Sequence, residues 1–273
     1  MTRREHVTQA HSQRTGALAP GVELTNLVGQ FCNAERLFTA IARFLPNTEL
    51  NCHLHPCAEA MVVLEGVVQV TVENRRYELN HLDAIQIPAH LPHHVCNPQQ
   101  TEETKLLVAL ASNSPQRTFS PLSPSVVDCL QSAPNAPEKV MRFATAPEYE
   151  LGRGALFRDL FQSGNGFHGI CGGYGEFGAT GELPCHTHDF DESITIIRGQ
   201  AICQVAGVEY SLSDCATALV PRGRPHRFKN PSHEPMAMIW VYAGDKPDRS
   251  IMSQELCSST HPFGRLLKSS QGA

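Results

Sequence analysis

Apolar and polar positions along the chain fall into short runs. Residues 59–66, "EAMVVLEG", and 67–79, "VVQVTVENRRYEL", are rich in β-branched residues and break at Glu65-Gly66 and near Asn74-Arg75. A second series, "ESITIIRGQAICQVAGVEYSL" (192–212), breaks at Arg198-Gly199 and Ala206-Gly207. Short strands with a turn signal every eight to twelve residues predict an antiparallel sandwich or barrel. No long stretch with a 3.6-residue period competes, so the fold class is all-β.

The two series are copies of one another. "HLHPCAEAMVVLEG" places His53, His55, Glu59 and Gly66, and "HTHDFDESITIIRG" places His186, His188, Glu192 and Gly199, each at an offset of 133. By match counting this four-point pattern arises at roughly one start position in 10⁵, so two copies in register are a duplication. The register continues downstream. "IPAHLPHHVCN" supplies Pro88, His93 and Asn97, and "VPRGRPHRFKN" supplies Pro221, His226 and Asn230; Phe44, Tyr77 and Leu79 match Phe177, Tyr210 and Leu212. Between the copies, residues 113–137 hold five prolines and five serines. Proline blocks ladder donation and serine favours turns, so this segment reads as a linker. The division expected is an N-terminal arm over 1–25, a first barrel over 26–112, the linker, a second barrel over 138–250 and a tail over 251–273.

The spacing has a chemical consequence. Residues two apart on a strand share a face, so His53 and His55 project together. A turn at Pro56 returns Glu59 on the next strand, and His93 arrives from another strand beside a proline turn. Three imidazoles and one carboxylate suit a divalent transition ion, Fe, Mn, Ni, Co or Zn, one per barrel. Four protein ligands on an octahedral ion leave two positions for substrate, water or oxygen, and the ion can polarise a bound oxygen anion.

The 273 residues are 41% apolar and 18% charged, the composition of a globular protein with a proper core. A net charge of −5 without a Lys/Arg run gives no reason to expect nucleic acid, and no apolar run reaches membrane-spanning length. The start, "MTRREHVTQAHSQRTG", lacks a secretory apolar core. The ten cysteines are therefore expected as reduced thiols in a cytoplasmic protein, without CxxC zinc spacing.

These motifs closely resemble those of the cupin superfamily. HxHxxxE followed by Gly stands as His53, His55, Glu59, Gly66 and as His186, His188, Glu192, Gly199. PxGxxHxxxN stands as Pro88, His93, Asn97 and as Pro221, Gly223, His226, Asn230. The resemblance implies a bicupin, two tandem double-stranded β-helix (jelly-roll) barrels, each with a His-His-Glu-His metal site. Several glycines of the pattern are replaced: His90 stands for the motif-two glycine, Asn47 and Thr180 for the one that opens motif one. Leu82-Asp83 and Cys215-Ala216 stand where motif two begins Gly-Asp. None of these removes a ligand. The family often dimerises through sheet edges and swapped arms, and exposed edges need cover, which makes a homodimer an expectation.

Other residues near the motifs are weaker candidates. Cys57 shares the parity of the histidines and sits in the turn before Glu59, although an inert packed thiol is the commoner case. Cys52 and Cys185 match each other and face the other way, so packing is expected for both. His81, His90 and His94 cluster around motif two: His90 could orient a ligand or face solvent, and His94 reads as lying outside the pocket, while His168 reads as a loop residue. Parity places Met61, Val63 and Val95 by the first metal and Ile194, Ile196 and Phe228 by the second. Neither set holds an arginine to clamp a dicarboxylate, which favours a substrate with an apolar body and one or two metal-binding oxygens.

Three function classes follow. An enzyme with Fe- or Mn-dependent, dioxygenase-type chemistry leads, with Glu59 or Glu192 as a metal ligand and, by family analogy, a candidate proton acceptor. A non-redox isomerase, lyase or decarboxylase is the first alternative, and a small-molecule binding or sensing protein the second. The second copy keeps motif two more completely, which favours it as the catalytic one.

Overall fold

A computed structural model describes residues 3–258 apart from Asn165 and Asp214; the end of the expected tail, 259–273, lies outside the described residues. The chain folds as two jelly rolls built almost wholly of strands, and none of its described helices is long and apolar enough to cross a membrane. In the first repeat a six-stranded and a seven-stranded sheet enclose a core that includes Phe44, Met61, Val70, Tyr77, Ile85, Val95 and Leu106. The second repeat encloses its own core, rich in rings: Phe157, Phe177, Phe228, Trp240 and Tyr242. Strand breaks fall where the sequence puts them, giving Glu59–Glu65, Val68–Val72 and Arg75–Leu79 in the first repeat. Their counterparts are Glu192–Arg198, Gln200–Val205 and Val208–Ser213.

Some strands are apolar on both faces, and a third core explains them. Ala60, Val62 and Leu64 alternate with Met61 and Val63; the second set faces the sandwich interior, while the first joins Leu107, Ile239 and Val241 between the repeats. A strand buried on both sides reads as a continuous apolar run. Thr39 and Ser193 hydroxyls meet across this plane at 2.9 Å.

Each repeat lends the other an edge strand. His6–Thr8 pairs antiparallel with Thr217, Ala218 and Leu219 of the second repeat, and Lys139–Met141 pairs with Ala84, Ile85 and Gln86 of the first, in the same register one repeat length apart. Arg3 reinforces the crossing with two hydrogen bonds to Asp191, at 2.6 and 2.8 Å. The arm therefore crosses to a neighbour within its own chain, and these two edges are covered without a second subunit.

The segment 113–137 lies along the first repeat. Thr118–Phe119 pairs with Leu54 and His53, Val127–Asp128 runs parallel to Arg75 and Arg76, and just beyond it the buried Glu138 binds Arg75 and the Tyr77 hydroxyl. At the C-terminus Ser250–Ile251 pairs with Thr187 and His186 and leads into a short helix, Gln254–Cys257. That path carries Cys257 back to Cys185, with Cα atoms 6.0 Å apart, and the two form a disulfide. The expectation of ten reduced thiols is corrected for this pair: its partners are 72 residues apart, so only the closing strand reveals them. Cys52 is a buried free thiol, as its packing role requires.

The replaced glycines keep the glycine conformation. His90 has φ 64° and Gly223 φ 72°, and both backbone N–H groups donate to a ligand histidine's carbonyl, His55 at 2.7 Å and His188 at 2.8 Å. Leu82 and Cys215 hold left-handed backbone as well (φ 64° and 66°). The fold tolerates this cost, so the turn is unchanged and His90 points to solvent.

The motif-two asparagines are loop clamps. Asn97 Nδ2 donates to the carbonyls of Phe44, Leu45 and Glu102, while its Oδ1 accepts from Gln99 N. Asn230 repeats this with Phe177, Gly178, Glu234 and Ser232. Asn230→Ala strands several buried carbonyls and is expected to cost about 2 to 4 kcal/mol in chemical denaturation, with bound metal unchanged.

Candidate metal centres

Two quartets of buried donors converge, His53-His55-Glu59-His93 and His186-His188-Glu192-His226, each with its ligand atoms within 4.8 Å of one another. Sheet register builds them. His53 and His93 are directly paired across their ladder, as are His186 and His226. Glu59 and Glu192 open the next strands, Glu59–Glu65 and Glu192–Arg198.

Every imidazole is oriented by its Nδ1–H, which donates to a backbone carbonyl. In the first quartet His53 donates to Asn51 (2.8 Å), His55 to Gln116 (2.5 Å) and His93 to Leu91 (3.0 Å). In the second, His186 donates to Pro184 (2.9 Å), His188 to Phe190 (2.6 Å) and His226 to Arg224 (2.9 Å). This fixes the tautomer that leaves the Nε2 lone pair facing the carboxylate, the arrangement metal-ligating histidines adopt. In the first quartet Glu59 Oε2 and His93 Nε2 stand 2.8 Å apart yet neither makes a hydrogen bond. Two buried polar atoms facing each other unsatisfied fit ligands of one shared ion. His188 and His226 approach Glu192 Oε2 at 3.0 and 2.8 Å.

Electrostatics favour the ligand forms of His53, His186 and both carboxylates, whereas the charge of Glu59 pushes His93 up against burial, so a cation at the first site must displace that proton. Burial, then the neighbouring imidazole, lowers His53 and His186 to about 3. Burial alone would push the Glu59 carboxyl up, but the charge field of His93, with His55 and His53, holds it down at about 2. Glu192 is held low against burial by His188 and His226. Neutral imidazoles and an ionised carboxylate are the species a cation binds.

The surroundings of the quartets differ. A cavity of about 440 Å³ opens onto His53, His55 and Glu59, walled by Leu24, Phe38, Met61, Val95, Val108 and Leu110. Of the residues placed by parity, Met61 and Val95 line it, and Val63 packs in the core without reaching it. In the second repeat the matching ladder positions carry rings. Val108 pairs with Met61 and Trp240 with Ile194; Leu110 pairs with Glu59 and Tyr242 with Glu192. Leu24 and Val95 likewise become Phe157 and Phe228, and all four aromatic side chains are fully buried. The Tyr242 ring lies 4.9 Å from His188, and Phe190 stacks on the same imidazole at 5.0 Å.

The expectation that no arginine approaches the first site is corrected: Arg117 lines this cavity, and its charge acts on Glu59 and His53. Parity along the barrel strands could not find it, because it belongs to the segment after them. A signal existed. Arg117 and Arg249 each stand just before a two-residue strand, Thr118–Phe119 and Ser250–Ile251, that pairs with the HxH segment. Cys57 is not in the quartet, and burial, with Glu59's charge, pushes its thiol up to about 11, where it is inert. His94 bonds Glu49 at 3.0 Å, and His81 and His168 are exposed.

Paired jelly rolls, each with three histidines and one glutamate between its sheets, define a two-site bicupin architecture. The Cupin domain profile matches residues 40–110 and 174–242, just over half of the chain; the protein belongs to the cupin superfamily. Among curated proteins no sequence match reaches significance. Oxalate decarboxylase from Bacillus subtilis at pH 4.6 is a similar solved structure, with TM-score 0.72 and 15% identity over 90% of this chain and 78% of that one. The formate complex of Lactobacillus farciminis oxalate decarboxylase gives TM-score 0.73 and 13% identity over 90% and 88%. At these identities the likeness is one of fold.

The lowered histidines set a pH dependence for the metal-free protein. Unfolded imidazoles take up protons near pH 6.5, whereas folded His53 and His186 do so only near 3. The unfolded state therefore binds more protons between those values, and stability falls as pH drops through that window. Thermal melting in chelator should show a steady fall in Tm from pH 6.5 towards 3, flattened in a His53→Gln/His186→Gln variant.

Proposed function

We propose that the chain is a metal-dependent enzyme whose first jelly roll accepts a small organic substrate, while the second holds its metal for structure. The observation that carries this reading is the contrast above, an apolar cavity over His53, His55 and Glu59 against aromatic side chains packed over the second quartet. It reverses the preference that the more complete second motif suggested. Motif completeness reports turn chemistry, and a substrate needs space.

His53, His55, Glu59 and His93 would hold Fe or Mn, and the bound ion would supply a positive centre that stabilises charge developing on a substrate oxygen. The chain does the rest. The apolar walls would exclude water and hold the carbon body, and Glu59, buried and ionised at the cavity, is the candidate proton acceptor. Cleavage of the decarboxylase or lyase kind is the favoured chemistry, supported by the fold shared with oxalate decarboxylases. Oxygen-dependent, dioxygenase-type turnover is the second reading, favoured by the apolar walls and the open coordination positions that four protein ligands leave.

Elemental analysis of protein purified without added metal should find about two equivalents of Fe or Mn, one for each quartet. His53→Ala/His55→Ala and His186→Ala/His188→Ala should each lose one. In a screen of carboxylates and enolisable acids, turnover should vanish in the first variant and persist in the second; the opposite assignment would sink the proposal. Turnover that survives strict anaerobiosis selects the lyase reading over the dioxygenase one.

A further inference from the structure

The two copies of the post-barrel arginine have different fates, and the difference describes the ligand. In the second repeat Arg249 Nε donates to Tyr242 Oη at 2.6 Å. Its guanidinium lies over the Tyr242 and Trp240 rings, 5.0 and 5.2 Å from their centroids. Tyr242 is itself set against the ligand histidine His188. This repeat thus carries an internal occupant beside its metal quartet: an aromatic ring whose oxygen rests on an arginine.

In the first repeat Leu110 stands at the Tyr242 position and Val108 at the Trp240 position. The ring and its oxygen are missing, and the space is the cavity that Arg117 lines. Arg117 Nε, the atom that corresponds to the donor in Arg249, is buried without a hydrogen-bond partner. Among the described residues no carboxylate comes within ion-pair distance of Arg117. A buried guanidinium donor without an acceptor is costly and is relieved by a ligand that brings one.

We propose that Arg117 is the anion-recognising residue of the first site, and that its ligand is a ring-sized apolar body carrying one anionic oxygen group. The ligand takes the place that Tyr242 fills in the other repeat, with its oxygen on Arg117 and its ring against the apolar wall near His55. The neighbouring Gln116 carbonyl holds His55 Nδ1, so one short segment both orients a metal ligand and reads the substrate's charge. The inference rests on the first jelly roll being the substrate-accepting one.

The probe is 4-methylbenzoate, with its neutral isostere 4-methylbenzamide and with oxalate, titrated calorimetrically into the full chain as purified. Arg117→Gln should weaken 4-methylbenzoate by about 10- to 100-fold and move 4-methylbenzamide by less than about 3-fold. Arg117→Lys should recover part of the loss, because lysine restores the charge without the fork. Leu110→Tyr, which installs the internal occupant, should abolish 4-methylbenzoate binding without lowering Tm. Equal binding by wild type and Arg117→Gln, or oxalate binding more tightly than 4-methylbenzoate, would overturn the proposal. Metal content of the same samples separates the two claims. Recognition through Arg117 in metal-free protein leaves this inference standing and removes the metal-dependent function. A metal-loaded protein indifferent to Arg117→Gln does the reverse.

Discussion

A carboxylate removed from water among three imidazoles is the constraint on which each half of this protein depends. Glu59 and Glu192 are almost completely buried, and a buried charge is tolerable only where donors or a cation meet it. The fold meets the condition through backbone. Four of the six imidazoles donate Nδ1–H to the carbonyl two residues earlier in the chain, which ties ring orientation to the same backbone that sets strand register. Cross-strand pairing of His53 with His93, and of His186 with His226, does the rest. A one-residue slip would turn these side chains to the opposite face.

From this common frame the two halves diverge through volume. Leucine or valine against tyrosine, tryptophan and phenylalanine at matched ladder positions decides whether space remains beside the quartet. The protein holds one architecture in two states, one filled by its own side chains and one left open. Arginine follows the same division: Arg249 is satisfied internally, and Arg117 is left with an unmet donor.

Much of this was legible in the sequence. The HxHxxxE spacing, repeated in register, picked out six of the eight clustered donors, with a period of two placing each histidine pair on one strand face, and the histidine of the second motif supplied the other two. Strand ends followed Gly66, Gly199 and Gly207, where turns need them. What escaped was set by pairing between distant segments. Arg117 and the Cys185–Cys257 bridge both depend on a two-residue strand returning to the HxH segment, and so short a strand has no periodicity to read. The ring-for-aliphatic exchanges lie in plain view in the sequence, but their meaning depends on which positions share one cavity wall. His90 shows the converse: a departure from motif that looked consequential leaves the turn in place, since the fold holds a non-glycine residue at positive φ.

The exchanged edge strands also fix an order of events during synthesis. His6–Thr8 leaves the ribosome well before its partners, Thr217 to Leu219, which come about two hundred residues later. At ordinary elongation rates of roughly 5 to 20 residues per second, that strand waits ten seconds or more without its sheet. The first repeat's open edge, by contrast, is closed as soon as Lys139–Met141 emerges. The first repeat is thus closed before His6–Thr8 has anywhere to go, and the later closure reaches back about two hundred residues along the nascent chain.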